Sequence, residues 1–173
     1  MNNGLAFLIS TLFSLFIMAI IIRTWMQLAQ ANYFSPVALA IRKITDPVIL
    51  PVRKVIPNVG RLDLAAVILA VFFTALKIFI LATMADIAVQ ALPLLILSLR
   101  SLAMEVLQLL FWVLIIRAIL SWFSSGSNPL EWVLHELTEP LLLPIRRMLP
   151  SMGGLDLSVL VLVILIQFLM RVL

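Results

Sequence analysis

The sequence contains one stretch twice: residues 45–64 read TDPVILPVRKVIPNVGRLDL, and residues 138–157 read TEPLLLPIRRMLPSMGGLDL. At an offset of 93 residues, 10 of the 20 positions are identical, and several others are close exchanges such as Asp46/Glu139. A repeat of this length has to be settled before any single element is assigned. Each copy lies between two long apolar segments. The repeating unit is therefore an apolar segment, a short helix, a proline-rich basic loop and a second apolar segment.

The composition indicates that lipid surrounds much of the chain. Hydrophobic residues make up 64% of the 173 residues, and the mean hydropathy is +1.23. A soluble domain of this length cannot bury so much apolar surface. The absence of cysteine excludes disulfides, thiolate metal sites and cysteine nucleophiles, and a single histidine, His135, leaves no histidine cluster for a metal. Because the sequence has no nucleophile–base pair, phosphate loop or metal-ligand set, we predict a protein that is not an enzyme and has no cofactor.

We predict an all-α membrane protein with four transmembrane helices arranged as two tandem repeats. Each repeat has a short interfacial amphipathic helix and a proline-rich loop between its two membrane helices. The first repeat covers residues 1–84. Its membrane helices are predicted at about 5–28 and 62–84, and its interfacial helix at 36–45. The second repeat covers residues 101–173, with membrane helices at about 101–123 and 155–173 and an interfacial helix at 129–138. Residues 85–100 form a connector that is interfacial or partly embedded, because Gln90 and Pro93 interrupt it.

The short helices and the loops after them follow from apolar spacing and from proline. Val37, Ala40, Ile41 and Ile44 recur at helical spacing and predict the buried face of the first short helix. The three prolines of each copy cannot share one regular helix, because each removes a backbone donor, so we expect a loop there. Gly60 then allows a sharp turn, and Asp63 falls in the first turn of the next helix, where a carboxylate meets the positive end of the macrodipole.

Charge placement predicts the orientation of the chain. Residues 29–61 carry five basic residues and one acid, and residues 123–154 carry two arginines and three glutamates, which count little in the positive-inside rule. Four crossings place both basic loops on one side, so we predict cytoplasmic loops and both termini outside. If residues 85–100 crossed the membrane, the repeats would be inverted and this assignment would be wrong.

The pattern T-[DE]-P-x-x-L-P-[VI]-R-[RK]-x-[IL]-P-x-x-G-x-L-D-L, flanked by apolar helices, resembles the YggT family of integral membrane proteins. The stretch from Ile115 to Trp122 also resembles that family's helix ending, although the first copy has Gln27-Leu28 in place of Ser121-Trp122. The resemblance covers nearly the whole chain. It implies a multi-pass protein of the bacterial inner membrane and an association with osmotic stress and ion homeostasis. It implies no catalytic residues.

The strongest candidate sites are charges that recur at the same place in both repeats. They are Arg53, Lys54 and Asp63 in the first copy and Arg146, Arg147 and Asp156 in the second. Three interpretations are open. In the first, each Asp caps its helix and each Arg either pairs with that Asp or anchors to lipid phosphate. In the second, the charges bind an anionic lipid or a partner protein, since basic loops attract anionic headgroups. In the third, they line an ion path.

Polar residues inside the predicted membrane helices form a second set of candidates: Thr74, Lys77, Glu105, Arg117 and Gln167. Thr74 and Gln167 each lie 11 residues beyond an aspartate, about 16 Å along a helix. At that depth they hydrogen-bond between helices or line a transport path. Lys77 and Arg171 are expected to snorkel to the outer headgroups, with Glu105 close enough to pair with either. Arg117 matches Arg23, for which we also expect snorkelling.

These features favour a non-enzymatic protein that acts by binding, as a scaffold or accessory subunit of membrane complexes. The predicted partners are anionic lipid headgroups, other membrane proteins and further copies of the chain in a homo-oligomer or complex, with no nucleic acid. The alternative is an oligomeric ion transport or channel component. That alternative requires an oligomer, because four helices alone can scarcely enclose a hydrated path.

Overall fold

The computed structural model describes residues 3–32, 34–123, 129–148 and 157–173, and these residues form six helices. They are α1 (Asn3–Leu28), α2 (Pro36–Arg53), α3 (Leu64–Met84), α4 (Ala91–Phe123), α5 (Pro129–Met148) and α6 (Leu157–Val172). Among the described residues no strand forms, apart from one isolated bridge between Val59 and Leu62. The all-α class is therefore confirmed.

Three helices of the described chain are long and apolar enough to cross a membrane. They lie at Gly4–Leu28, Leu64–Met84 and Ala91–Ser121. The fourth apolar helix, α6, has 16 residues, and at 1.5 Å per residue it is about 24 Å long, less than the ~30 Å hydrocarbon layer. The predicted start of this helix at Leu155 lies outside the described residues.

The prediction that the prolines end the short helices is wrong. Pro47 and Pro51 lie inside α2, and Pro140 and Pro144 lie inside α5. The two prolines of each pair are four residues apart, so they share one face of the helix, and all four are exposed. The carbonyl groups that lose a backbone donor therefore lie on the outer side of the helix, where water or headgroups can reach them, while the opposite side packs normally. The helices continue to Arg53 and Met148.

The predicted connector is also shorter than expected. Helix α4 begins at Ala91, so residues 91–100 continue into the third membrane helix and only residues 85–90 remain as connector. Pro93 is tolerated because it lies in the first turn, where backbone N–H groups have no partner within the helix. The Gln90 carbonyl accepts the first bond of this helix, from the Leu94 N–H at 3.0 Å.

The described chain divides into two compact units, Met1–Thr24 with Ile41–Val106 and Trp25–Ala40 with Leu107–Leu173. The core of the first unit contains Ile20, Ile49 and Leu69. The core of the second contains Leu114, Leu142 and Leu162. These residues correspond one to one at an offset of 94 in the first helix of each repeat and 93 thereafter. The repeat in the sequence is thus also a repeat of cores.

The buried face of α2 differs from the predicted one. Ile44, which we expected to be buried, is 58% exposed, whereas Thr45 and Ile49 are fully buried. Apolar spacing did not predict the inward position of Thr45, whose hydroxyl meets an arginine of α1. In α5 the equivalents of Ala40, Ile41 and Ile44 are Val133, Leu134 and Leu137, and all three are buried.

We predict that Leu142→Ala destabilises the protein by about 2–5 kcal/mol, because this side chain is fully buried in the second core. Leu143→Ala is the matched control. Leu143 is 42% exposed, and its truncation should change stability by no more than about 0.5 kcal/mol. Thermal unfolding of the purified protein in detergent micelles measures both. Equal losses would mean that α5 does not bury the face seen in the structure.

Candidate functional site

A buried arginine of α1 holds the start of the repeated stretch in the first unit. The Arg23 side chain, 5% exposed, donates from Nη1 to Thr45 Oγ1 at 2.9 Å and pairs with Asp46 Oδ1 at 2.5 Å. The Thr45 hydroxyl in turn donates to the Ile41 carbonyl at 2.8 Å. We call Arg23, Thr45 and Asp46 the first arginine cluster. The expectation that Arg23 snorkels to the headgroups is wrong, because its guanidinium finds acceptors on α2.

The second unit repeats this arrangement. Arg117 of α4 donates to Thr138 Oγ1 and pairs with Glu139 Oε2 at 3.1 Å, and the Thr138 hydroxyl donates to the Leu134 carbonyl at 2.7 Å. We call Arg117, Thr138 and Glu139 the second arginine cluster. The T-[DE]-P motif is thereby explained: its first two residues supply the acceptors for an arginine from the preceding membrane helix. In the sequence, the equivalence of Arg23 and Arg117 is visible because both end an Ile-Ile-Arg triplet, at residues 21–23 and 115–117. The triplets did not indicate which residues these arginines would bind.

Arg53 and Asp63 pair across the loop between α2 and α3. Arg53 Nη2 lies 2.5 Å from Asp63 Oδ2. Asp63 is 1% exposed and caps α3 by accepting the Ala66 N–H at 3.3 Å. The chain reverses just before it, through Gly60 at φ 59°, so that Val59 and Leu62 exchange both backbone hydrogen bonds at 3.1 and 3.0 Å. The structure therefore shows the capped ion pair, one of the arrangements left open by the sequence.

The corresponding arginine of the second copy has a different observed partner. Arg146 Nη1 pairs with Glu139 Oε1 at 2.6 Å, so Glu139 holds two arginines. His135 Nε2 also lies 3.3 Å from Glu139, although the His135 side chain is 56% exposed, in keeping with a residue on the polar side of α5. Asp156, together with the prediction that it caps α6, lies outside the described residues.

Lys77 is a buried charge within α3. It is 7% exposed and donates to Glu105 Oε1 of α4 and to Ser14 Oγ of α1, the latter at 3.2 Å. The prediction of a snorkelling Lys77 is wrong, because a carboxylate lies within reach inside the unit. Glu105 is the partner that the sequence suggested, and its pairing neutralises both groups in an apolar environment. Arg171 is exposed in the last turn of α6.

The two polar residues predicted at mid-membrane differ in burial. Thr74 is fully buried and donates to the Ala70 carbonyl of its own helix at 2.8 Å. The Thr74 hydroxyl proton is therefore not donated to another helix. Ala70 and Ala66, which lie one and two turns before Thr74 on α3, pack in the first core. Gln167 is exposed on α6.

Each proline-containing helix presents an exposed face of similar composition. On α2 a shallow depression is lined by Asp46, Pro47, Leu50 and Pro51, together with Lys43 and Lys54. We call Pro47, Leu50, Pro51 and Lys54 the first proline face. The equivalent residues of α5, Pro140, Leu143, Pro144 and Arg147, are also exposed and form the second proline face. The Lys43 equivalent is Glu136, which accepts the Asn32 N–H at 2.7 Å.

The candidate residues therefore fall into two chemical groups. Arg53, Arg117 and Arg146 are held by carboxylates. Lys54 and Arg147 are exposed on the proline faces and form no ion pair among the described residues, although Asp46 lines the same depression as Lys54. The described chain has no group of three or more His, Asp or Glu side chains that could hold a metal ion. This chemistry suits binding of anions at a surface.

Comparison with known proteins accounts for the repeat. The sequence profile of the family described as CCB3/YggT matches residues 2–84 and, separately, residues 96–173. The chain belongs to the CCB3/YggT family. The double match confirms that the protein consists of two tandem copies of the family's unit. No solved structure matches the chain.

Relatives in this family align over nearly the full length of the chain. A Vibrio alginolyticus protein, "Uncharacterized protein in proC 3'region", is 51% identical over 169 residues, which cover 96% of this chain and 91% of that protein. "Uncharacterized protein YggT" of Escherichia coli K12 is 41% identical over 95% of this chain and 86% of its own length. "Uncharacterized protein PA0392" of Pseudomonas aeruginosa is 34% identical over 91% and 82%. Their names carry no enzymatic activity.

We predict that Arg53→Met costs about 3 kcal/mol, the lower end for a broken buried pair because the Arg53 side chain is 31% exposed. It leaves the Asp63 carboxylate buried with only its capping bond. Lys54→Met, at the exposed neighbour, is the control and should change stability by at most about 0.5 kcal/mol. Thermal unfolding in detergent compares them.

A double variant separates pairing from packing. Arg53→Met combined with Asp63→Ser removes both charges and retains a capping oxygen, so it should be more stable than Arg53→Met alone. A double variant as unstable as the single one would show that Asp63 is not the reason for the loss.

Proposed function

We propose that this protein is a non-enzymatic scaffold or accessory subunit of membrane complexes. It would bind anionic lipid headgroups and other membrane proteins through the first and second proline faces. One observation carries the proposal: neighbouring basic residues differ in the same way in both repeats. Arg53 and Arg146 are each held by an acid, whereas the next residue, Lys54 or Arg147, is exposed beside an apolar surface.

The neighbouring residues support a position at the headgroups. Val55 is 81% exposed and Met148 is 84% exposed, and each directly follows the exposed cation of its face. A helix that presents apolar residues next to cations suits the headgroup boundary, where the apolar part enters the acyl region and the cation meets phosphate. Each basic residue near an anionic membrane surface contributes about 1 kcal/mol to that attraction.

The proposed placement is the bacterial inner membrane, with four crossings by α1, α3, α4 and α6. Helix α6 would cross together with the residues before it, since its 16 residues alone fall short of the hydrocarbon layer. Both proline faces would then lie on the cytoplasmic side and both termini outside, in line with the excess of Lys and Arg in residues 29–61. The resemblance noted above adds osmotic stress and ion homeostasis as the setting for such a scaffold.

One observation favours the alternative of an oligomeric ion transport or channel component. Lys77 and Glu105 form an ion pair inside the membrane helices, and within the described residues Glu105 Oε2 is buried without a hydrogen-bond partner. Ionisable groups at such depth mark ion or proton paths in many membrane proteins. Cation flux through the purified protein in liposomes that disappears in Glu105→Gln would favour transport over the scaffold.

For the scaffold, we predict that Lys54→Glu combined with Arg147→Glu removes the co-purifying membrane proteins and anionic phospholipids without lowering thermal stability. The physical reason is that both side chains are exposed and make no ion pair in the described structure. Quantitative mass spectrometry after purification in mild detergent measures both losses. Arg61→Glu, which reverses an exposed loop charge away from the proline faces, is the control. An unchanged set of proteins and lipids in the double variant would refute the proposal.

For the topology, we predict that Asn58→Cys reacts only with thiol reagents that reach the cytoplasm, whereas Gln90→Cys reacts from outside in intact cells. Both residues are exposed in loops on opposite sides of the proposed α3 crossing, and the chain contains no native cysteine. Labelling of Asn58→Cys by an impermeant reagent in intact cells would reverse the orientation.

A further inference from the structure

Two polar positions correspond between the repeats but differ in their surroundings. Ser14 of α1 and Thr74 of α3 correspond to Gln108 of α4 and Gln167 of α6, at the offsets of 94 and 93 that align the two cores. Thr74 is fully buried, and Ser14 is bonded to Lys77 and Glu105. Gln108 and Gln167 are both exposed, and within the described residues neither has a hydrogen-bond partner.

The first repeat is covered at these positions by the beginning of α4. Leu102 packs against the first core, and Glu105 bonds to Ser14 and Lys77. The second core corresponds to the first nearly residue by residue, and Met170, the Lys77 equivalent, packs on it. No described residue takes the place of Leu102 or Glu105 there. The corresponding groove of the second repeat, between α4 and α6, is therefore exposed at Gln108 and Gln167, whose side chains are larger than those of Ser14 and Thr74.

The two glutamines lie at similar depth in the membrane. Leu114 of α4 and Leu162 of α6 belong to the same core, and Gln108 and Gln167 lie six and five residues from them, or about 9 and 7.5 Å along each helix. Because α4 leads into α5 and α6 follows it, both glutamines are displaced from the core towards the side away from α5. Exposed apolar residues need no cover in lipid, but an amide does, since lipid offers it no hydrogen bond.

We propose that a second copy of this chain covers the groove between α4 and α6, and that Gln108 and Gln167 hydrogen-bond across the resulting dimer. A two-fold axis along the membrane normal brings identical residues of both copies to the same depth. Each amide has donors and an acceptor, so two copies complement each other without any further polar group. This inference rests on the membrane placement in the proposed function and is independent of its partner proteins.

The dimer is tested by counting subunits of labelled protein in liposomes by single-molecule photobleaching. Wild type is expected to be dimeric, and Gln108→Leu combined with Gln167→Leu should associate at least tenfold more weakly. Gln90→Leu, the same change outside the membrane helices, should leave association unchanged. Gln108→Asn with Gln167→Asn keeps the amides and should remain dimeric. A monomeric wild type, or a Leu double variant that dimerises like wild type, overturns the proposal.

Cross-linking in native membranes keeps the test decisive if the Leu double variant folds poorly. Gln167→Cys should form a disulfide-linked species of twice the chain mass on oxidation, whereas Phe79→Cys, exposed on α3, should not. Equal cross-linking at both positions overturns the proposal. An adduct of a different mass at position 167 would assign the groove to another protein and likewise overturns it. Neither result bears on whether the proline faces bind partners.

Discussion

The burial of one arginine per repeat is the constraint on which the rest of the structure depends. A guanidinium remains charged at any physiological pH and cannot be buried among apolar helices without acceptors. Arg23 and Arg117 obtain theirs from the threonine and the acid that open each repeated stretch. In both repeats this contact accompanies the inward position of the threonine and of the apolar residue one turn further on, Ile49 in α2 and Leu142 in α5, all of which are fully buried.

The inward position of the threonines explains how prolines are accommodated in the middle of two helices. With Thr45 and Thr138 turned inward, Pro47, Pro51, Pro140 and Pro144 are turned outward. Each proline leaves one carbonyl without its usual donor, which would be costly in lipid but is tolerable at a wet interface. The same outward face holds Lys54 and Arg147. The unpaired carbonyls at the prolines and the proposed headgroup binding therefore both favour a position of α2 and α5 at the membrane surface.

The two repeats have equivalent core residues but differ in the polar residues of their apolar helices. In the first, Lys77 and Glu105 neutralise each other, and the Ser14 hydroxyl hydrogen-bonds to both. In the second, the Lys77 position is Met170, and the Ser14 and Thr74 positions are two exposed glutamines. The two repeats therefore share a core arrangement, while differences at a few polar positions give the first an internal ion pair and the second the exposed amides from which the dimer is proposed.

The sequence by itself determined the helical class, the two tandem units and the turn at Gly60, because hydrophobic length, repeated spacing and glycine are all local signals. It identified Arg53 and Asp63 as candidates, but their pairing was one of three interpretations that it left open. It misjudged Pro47 and Pro51, since a proline's effect depends on which side of the helix its missing bond faces. Arg23 and Lys77 were placed wrongly for a related reason: the partners of Arg23 lie 22 and 23 residues away in the chain, and the partner of Lys77 lies 28 residues away. Only the tertiary structure decides such contacts, because burial of a charge is favourable only where a distant acceptor is brought within hydrogen-bonding distance.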